Sequence, residues 1–169
     1  MQGKWCIWCT KATKRIAFFV WTTIWGKILI GDNLNKRGIT LGNQCCMCRS
    51  SGETINLLSL HCDIAYELWT YAFSVFGVQW VMSKSVVQLL SGCRNCFHKH
   101  SSFLWNVSLL CLLWTLWRER NQHTFEGVDA LVFQLKLYFL RILLDWSCVL
   151  GHSKIRSVVD LIASLSCKL

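Results

Sequence analysis

The sequence predicts an all-α fold: a small helical domain with one zinc-knuckle-like loop between its first helices. Three observations carry this reading. Proline is absent, although a chain of this length would carry roughly eight at the usual frequency of about 5%. Nothing therefore breaks long helices. Apolar residues recur at helical spacing in stretches bounded by Gly, Asp and Ser. Between the first two of those stretches a polar loop carries a C-x2-C pair, Cys45 and Cys48.

The elements follow in order. Residues 1–13 are a polar and aromatic lead-in. Lys14–Ile30 reads as a helix, with Ile16, Phe19, Val20 and Ile24 on one side and Phe18 and Trp21 on the other. Its length favours helix over a buried strand. Gly31-Asp32 breaks it, Asp32 caps a short turn running to Arg37, and Gly38 ends that turn. Leu41–Gly52 is the cysteine loop, and Glu53–Leu60 is ambiguous. Asp63 caps a helix over Ile64–Phe76, with Ala65, Leu68, Trp69, Ala72, Phe73 and Phe76 facing inward and Gly77 terminating it. Ser83 or Ser85 caps a helix to Leu90, and Gly92–Ser102 reads as a polar linker. Phe103–Phe125 gives the strongest helical pattern. Asp129 caps a long helix over Ala130–Val149, and Ile155–Leu165 forms a tail helix.

Size and composition bound the possibilities. The 169 residues suit one domain or two very small ones. An apolar fraction of 53%, with ten tryptophans and nine phenylalanines, excludes disorder along the whole length. The odd count of 11 cysteines argues against a closed disulfide framework. No secretory signal opens the chain, so an intracellular, reducing compartment is expected, nucleus or cytoplasm. The most apolar stretches, Phe103–Trp117 and Leu131–Leu150, are short or interrupted by polar and charged residues. A membrane partner is therefore not expected.

The cysteine loop carries the chemistry. Zinc wants four thiolate or imidazole ligands placed tetrahedrally. Residues 44–62 supply Cys45, Cys48, His61 and Cys62 as candidate metal ligands. His61 and Cys62 are adjacent, and adjacent residues rarely both reach one ion. Cys46 is an alternative fourth ligand, and a three-ligand site or loss of the metal stays open as well. Two other clusters carry less. Cys93, Cys96, His98 and His100 are too compressed for a finger and read as linker, and Cys6 and Cys9 lack a partner pair. Cys111, Cys148 and Cys167 lie among apolar residues and read as core.

Charge points to a polyanion. The net charge of +9 divides into +6 for residues 1–40, +1 for 41–100 and +2 for 101–169. Lys11, Lys14, Arg15, Lys36, Arg37 and Arg49, with Lys27, are the candidate RNA or DNA contacts, binding phosphate rather than reading sequence. Trp5 and Trp8 are candidate stacking platforms, while Trp21, Trp25, Trp69, Trp114 and Trp117 read as core. Catalysis is not expected. The five aspartates, 32, 63, 129, 145 and 160, are scattered, so no pair stands ready for two-metal polymerase chemistry. No glycine-rich phosphate loop is present, and no small-molecule substrate is expected.

An ordered set of short stretches resembles a known family. These are Ala17–Trp21, Trp25-Gly26-Lys27, Asp32–Leu34, Arg37-Gly38, Cys45–Cys48, Glu53-Thr54, His61–Ala65 and Leu68-Trp69. Together they resemble the reverse-transcriptase zinc-binding domain of plant LINE-type (non-LTR) retrotransposons. Trp117, Arg120, Asn121 and Phe125 are similar to a W-x-x-R-N-x-x-x-F segment that follows that domain. The resemblance implies a Cys-Cys-His-Cys zinc module in which Cys45, Cys48 and Cys62 match three ligands. Leu57 stands where the family's histidine falls. It also implies a polymerase domain as partner in a parent polyprotein. The expected division is residues 5–77 as a degenerate zinc-binding domain and 78–169 as a helical extension packing on it. The function expected is non-catalytic contact with nucleic acid. A helical interaction or structural module without metal or nucleic acid, and a non-functional fragment, are the alternatives.

Overall fold

The computed structural model describes residues 13–39, 44–50, 52–92, 101–149 and 157–166. Among these residues there are seven α-helices, one π-helical turn and no strand. The helices are α1 (Lys14–Ile24), α2 (Gly31–Asn35), α3 (Asp63–Val75), α4 (Val86–Gly92), α5 (Ser101–Glu126), α6 (Val132–Val149) and α7 (Val158–Ser166). The π-turn, Leu57–His61, leads directly into α3. The all-α architecture expected from the sequence is the one observed.

The first helix is shorter than its periodicity suggests. It stops at Ile24, because Gly26 takes a left-handed φ of 67° that turns the chain out of the helix. Ile28 and Ile30, expected on the helix, are buried in the non-helical segment that follows. The Asn33 amide holds that segment by donating to the Gly26 and Ile28 carbonyls, both at 2.7 Å. Helix caps also shift by a residue or more. Cys62, not Asp63, occupies the N-cap position of α3, and Ile30, not Asp32, precedes α2. Asp63 and Asp32 fall in the first turns, where a carboxylate favours the positive end of the helix dipole. The turn before α6 is closed by side chains from two sides. Glu119 accepts from the Ala130 N–H at 2.8 Å, and His123 pairs with Asp129.

The core runs through α1, the π-turn and α3 to α6 without interruption at residue 77. Ala65, Leu68, Trp69 and Ala72 of α3 are fully buried, as the helical stripe requires. The Trp69 indole finds its partner in the Ser59 carbonyl at 2.7 Å. Aromatic rings knit the helices: Phe73 of α3 and Phe76 at its C-cap meet Trp105 of α5, and Phe19 of α1 stacks on Trp117. Three apolar assignments are corrected. Trp21 of α1 and Trp25 at its C-cap are 42% and 63% exposed, and Cys148 is exposed on α6. A helix greasy on all sides can bury only the face that meets α5. Cys111 is buried as expected, and Cys167 lies outside the described residues.

Candidate metal centre and its surroundings

Two local structures bring the cysteines together. The first is a tight turn over residues 45–50, closed by the Arg49 N–H on the Cys45 carbonyl at 2.8 Å. Arg49 takes a φ of 56° to complete it. The second is the π-turn. Its wider i→i+5 pattern ends with the Cys62 N–H on the Leu57 carbonyl at 2.7 Å. One residue more per turn rotates Cys62 inward at the start of α3 and leaves His61 facing out.

As a result the sulfurs of Cys45, Cys48 and Cys62 all lie within 4.8 Å of one another. Cys45 and Cys62 are buried, and Cys48 is half-buried, within 2.8 Å of the Ser50 hydroxyl. This donor set suits a thiophilic ion, since a tetrahedral zinc with bonds of about 2.3 Å needs sulfurs about 3.8 Å apart. Electrostatics favour a thiolate. The Cys62 thiol donates to Cys45, and that hydrogen bond outweighs burial and brings the Cys45 pKa down to about 6. Cys62, holding the shared proton beside that charge, is pushed upward.

The other two candidates for the fourth position are engaged elsewhere. His61 is exposed, and its Nε2 lies 3.3 Å from the Lys84 carbonyl. Cys46 is engaged with Glu53 and with the Arg120 carbonyl of α5. Its thiol donates to Glu53 Oε1 at 3.6 Å. Burial, reinforced by the nearby Glu53 charge, pushes its pKa up to about 11, so it stays a neutral thiol. Leu57 is half-buried, at the start of the π-turn.

Behind the loop lies an ion pair that sequence spacing did not suggest. Glu53 and Arg120 are 4% and 2% exposed. Arg120 donates through Nε to Oε1 at 3.0 Å and through Nη2 to Oε2 at 2.9 Å, a bidentate fork. Glu53 Oε2 also accepts from the Gly31 N–H at 2.6 Å. The pair thus joins α2, the cysteine loop and α5. Both residues belong to the resembling stretches, so motif membership was the available signal. Distance in sequence, 67 residues, hid their contact.

The basic candidates are dispersed. Lys14, Arg15, Lys36, Arg37 and Arg49 are all exposed, and Lys36 is paired with Asp32 at 2.8 Å. Lys27 is exposed as well. Lys11, Trp5, Trp8, Cys6, Cys9 and the Cys93–His100 cluster lie outside the described residues. No helix among the described residues is long and apolar enough to cross a membrane.

Comparison with known proteins agrees with this geometry. No curated protein and no solved structure matches the chain. The match found covers a zinc-binding part and no catalytic part: residues 2–69, which contain all three clustered cysteines, match the family described as zinc-binding in reverse transcriptase.

Proposed function

We propose that this chain is a non-catalytic, retroelement-derived module that binds zinc and contacts nucleic acid. The observation that carries it is the convergence of Cys45, Cys48 and Cys62 inside the segment that matches a reverse-transcriptase zinc-binding family. In this reading the thiolates of Cys45, Cys48 and Cys62 would hold the ion. His61 would reach the ion only by releasing the Lys84 carbonyl. The ion supplies a cross-link between the cysteine loop and the start of α3, which is folding energy rather than catalysis. The parent context is a LINE-type polyprotein of plant origin, where a polymerase domain holds the template alongside. The exposed residues Lys14, Arg15, Lys36, Arg37 and Arg49 contribute salt-sensitive, sequence-tolerant phosphate contacts, with Lys11.

Cobalt titration of the purified chain tests the metal. A thiolate charge-transfer band is expected in the wild type, unchanged by His61→Ala and lost in Cys62→Ser. Leu57→His should strengthen binding by supplying an imidazole at the opening of the π-turn. No band in the wild type would sink the metal assignment, and a band that appears only in Leu57→His would show that the metal was lost with that histidine. Acid should release the ion, because metal and protons compete for the same sulfurs. Titration with single-stranded RNA at about 50 mM salt tests the second half. Affinity should fall as salt rises, and absence of binding at low salt removes the nucleic-acid role.

A specific observation favours a second reading, a protein-interaction module. Phe18 and Trp21 of α1 and Trp25 at its C-cap form an exposed aromatic ladder, with ring centroids 5.9 and 6.3 Å apart. If replacing all three with polar residues leaves nucleic-acid affinity intact while abolishing capture of a defined polymerase domain, this second reading stands.

A further inference from the structure

A groove lies between α1, α5 and α6, away from the cysteine cluster. One part of it is an open cavity of about 470 Å³ that includes Arg15, Trp114, Trp117, Arg118, Phe125 and Tyr138 in its lining. The neighbouring cavity, about 390 Å³, shares Arg118 and Tyr138 and adds Arg141. The two therefore run together along α5 and α6 and carry three guanidinium groups.

The cations are held for use. The Arg118 guanidinium lies 4.4 Å from the centre of the Tyr138 ring, and that of Arg15 lies 5.4 Å from Trp114. Stacking occupies a guanidinium face and leaves its edge N–H groups free to donate. All three arginines are exposed, and among the described residues none of them is in an ion pair. Two carboxylates also line the groove. Glu119 is committed to the Ala130 N–H, and Glu126 stands exposed on the wall.

The rings divide by role. Trp117 is committed on its faces to Phe19 and Arg120, so it forms part of the groove's base. Phe125 is 74% exposed; the Arg120 guanidinium lies 5.9 Å from its ring centre on one side, and the other side is open to a flat ligand. Beside it Asn121 spends its carbonyl oxygen on Arg120 Nη1 at 3.2 Å, which leaves its amide N–H groups as donors.

We propose that this groove binds a single-stranded nucleic acid. Phosphates sit on Arg15, Arg118 and Arg141, a base stacks on Phe125, and Asn121 donates to a base edge. The combination selects this ligand class. An apolar peptide would leave three cations unused, and a small anion would leave the open ring unused. A duplex keeps its bases stacked internally and could not offer one to Phe125. The inference rests on the nucleic-acid reading above but places contact on α5 and α6, where apart from Arg15 none of the basic residues proposed above lies.

The test uses the full chain and labelled oligouridine and oligodeoxythymidine of about ten nucleotides, read by fluorescence anisotropy. Arg118→Gln with Arg141→Gln, and separately Phe125→Ala, should each weaken binding by about tenfold, with Phe125→Tyr restoring it. Circular dichroism should show unchanged helicity, since these side chains are exposed. Ultraviolet cross-linking of bromouridine-substituted RNA should label a peptide of α5 or α6. A wild type that binds neither oligonucleotide overturns this proposal and the nucleic-acid reading together. Binding that the groove variants leave intact while Lys36→Gln with Arg37→Gln weakens it overturns the groove alone. Equal competition by polyglutamate, or preference for duplex, also overturns it. Comparison of the two oligonucleotides assigns the sugar: tighter binding of oligouridine supports RNA as the ligand, and tighter binding of oligodeoxythymidine supports single-stranded DNA.

Discussion

Glu53 and Arg120 show how much one residue pair can decide. A buried charge that loses its partner costs about 3–5 kcal/mol. Arg120→Ala should therefore destabilise the chain by about that amount in urea unfolding, and Glu53→Gln by less, because an amide can still hydrogen-bond. The double variant should cost less than the sum of the two. Acid should act through the same pair. Burial alone would raise the Glu53 pKa, but hydrogen bonds from Arg120 and the Gly31 N–H hold it below its ordinary value of 4.5. The stabilisation is present above that ordinary value and is lost as pH falls through the depressed one. Stability measured against pH should show this acid limb in the wild type and a smaller one in Glu53→Gln. Arg49 offers the opposite case. Its left-handed φ of 56° disfavours any side chain. Arg49→Gly should raise stability by up to about 1 kcal/mol, offset in part by a freer unfolded state.

At the scale of elements, the informative departures are the short first helix and the π-turn. Gly26 ends α1 through its φ of 67°, and a Cβ there would meet only Ile55 Cδ1 at an ordinary 3.8 Å. Gly26→Ala should thus cost about 1 kcal/mol from backbone strain alone, measurable as a lower midpoint in denaturant with an unchanged slope. The helix α3 was legible because its buried stripe, Ala65 to Phe76, keeps one period over three turns. Glu53–Leu60 was not, because a π-turn repeats neither every two residues nor every 3.6. It also decides the site: the extra residue per turn is what separates neighbouring His61 and Cys62 into outward and inward positions.

For the whole molecule, the core couples the cysteine-bearing segment to the long helices that follow. Phe19 of α1 packs on Trp114 and Trp117 of α5, and Glu53 reaches Arg120. Metal at Cys45, Cys48 and Cys62 should therefore stabilise α5 as well as the loop. Zinc at about a hundred times its dissociation constant contributes about 2.7 kcal/mol. For a chain of this size, chelation should then lower Tm by roughly 5–10 °C. A single shifted transition is expected. A separate early transition confined to the loop would show that the two parts are uncoupled.

The sequence by itself determined the helical class, the inward stripe of α3 and the three cysteines, because these depend on local periodicity and on ligand chemistry written at fixed spacing. It also marked Glu53 and Arg120 as members of a recurring pattern without saying why. Only the tertiary structure decided that these two share a buried hydrogen-bonded pair and that His61 and Cys46 turn to other partners. It alone placed Trp21 and Trp25 outside and set Arg15, Arg118 and Arg141 along one groove. Each of those outcomes depends on which helix faces meet, and that is settled by packing between residues far apart in the chain.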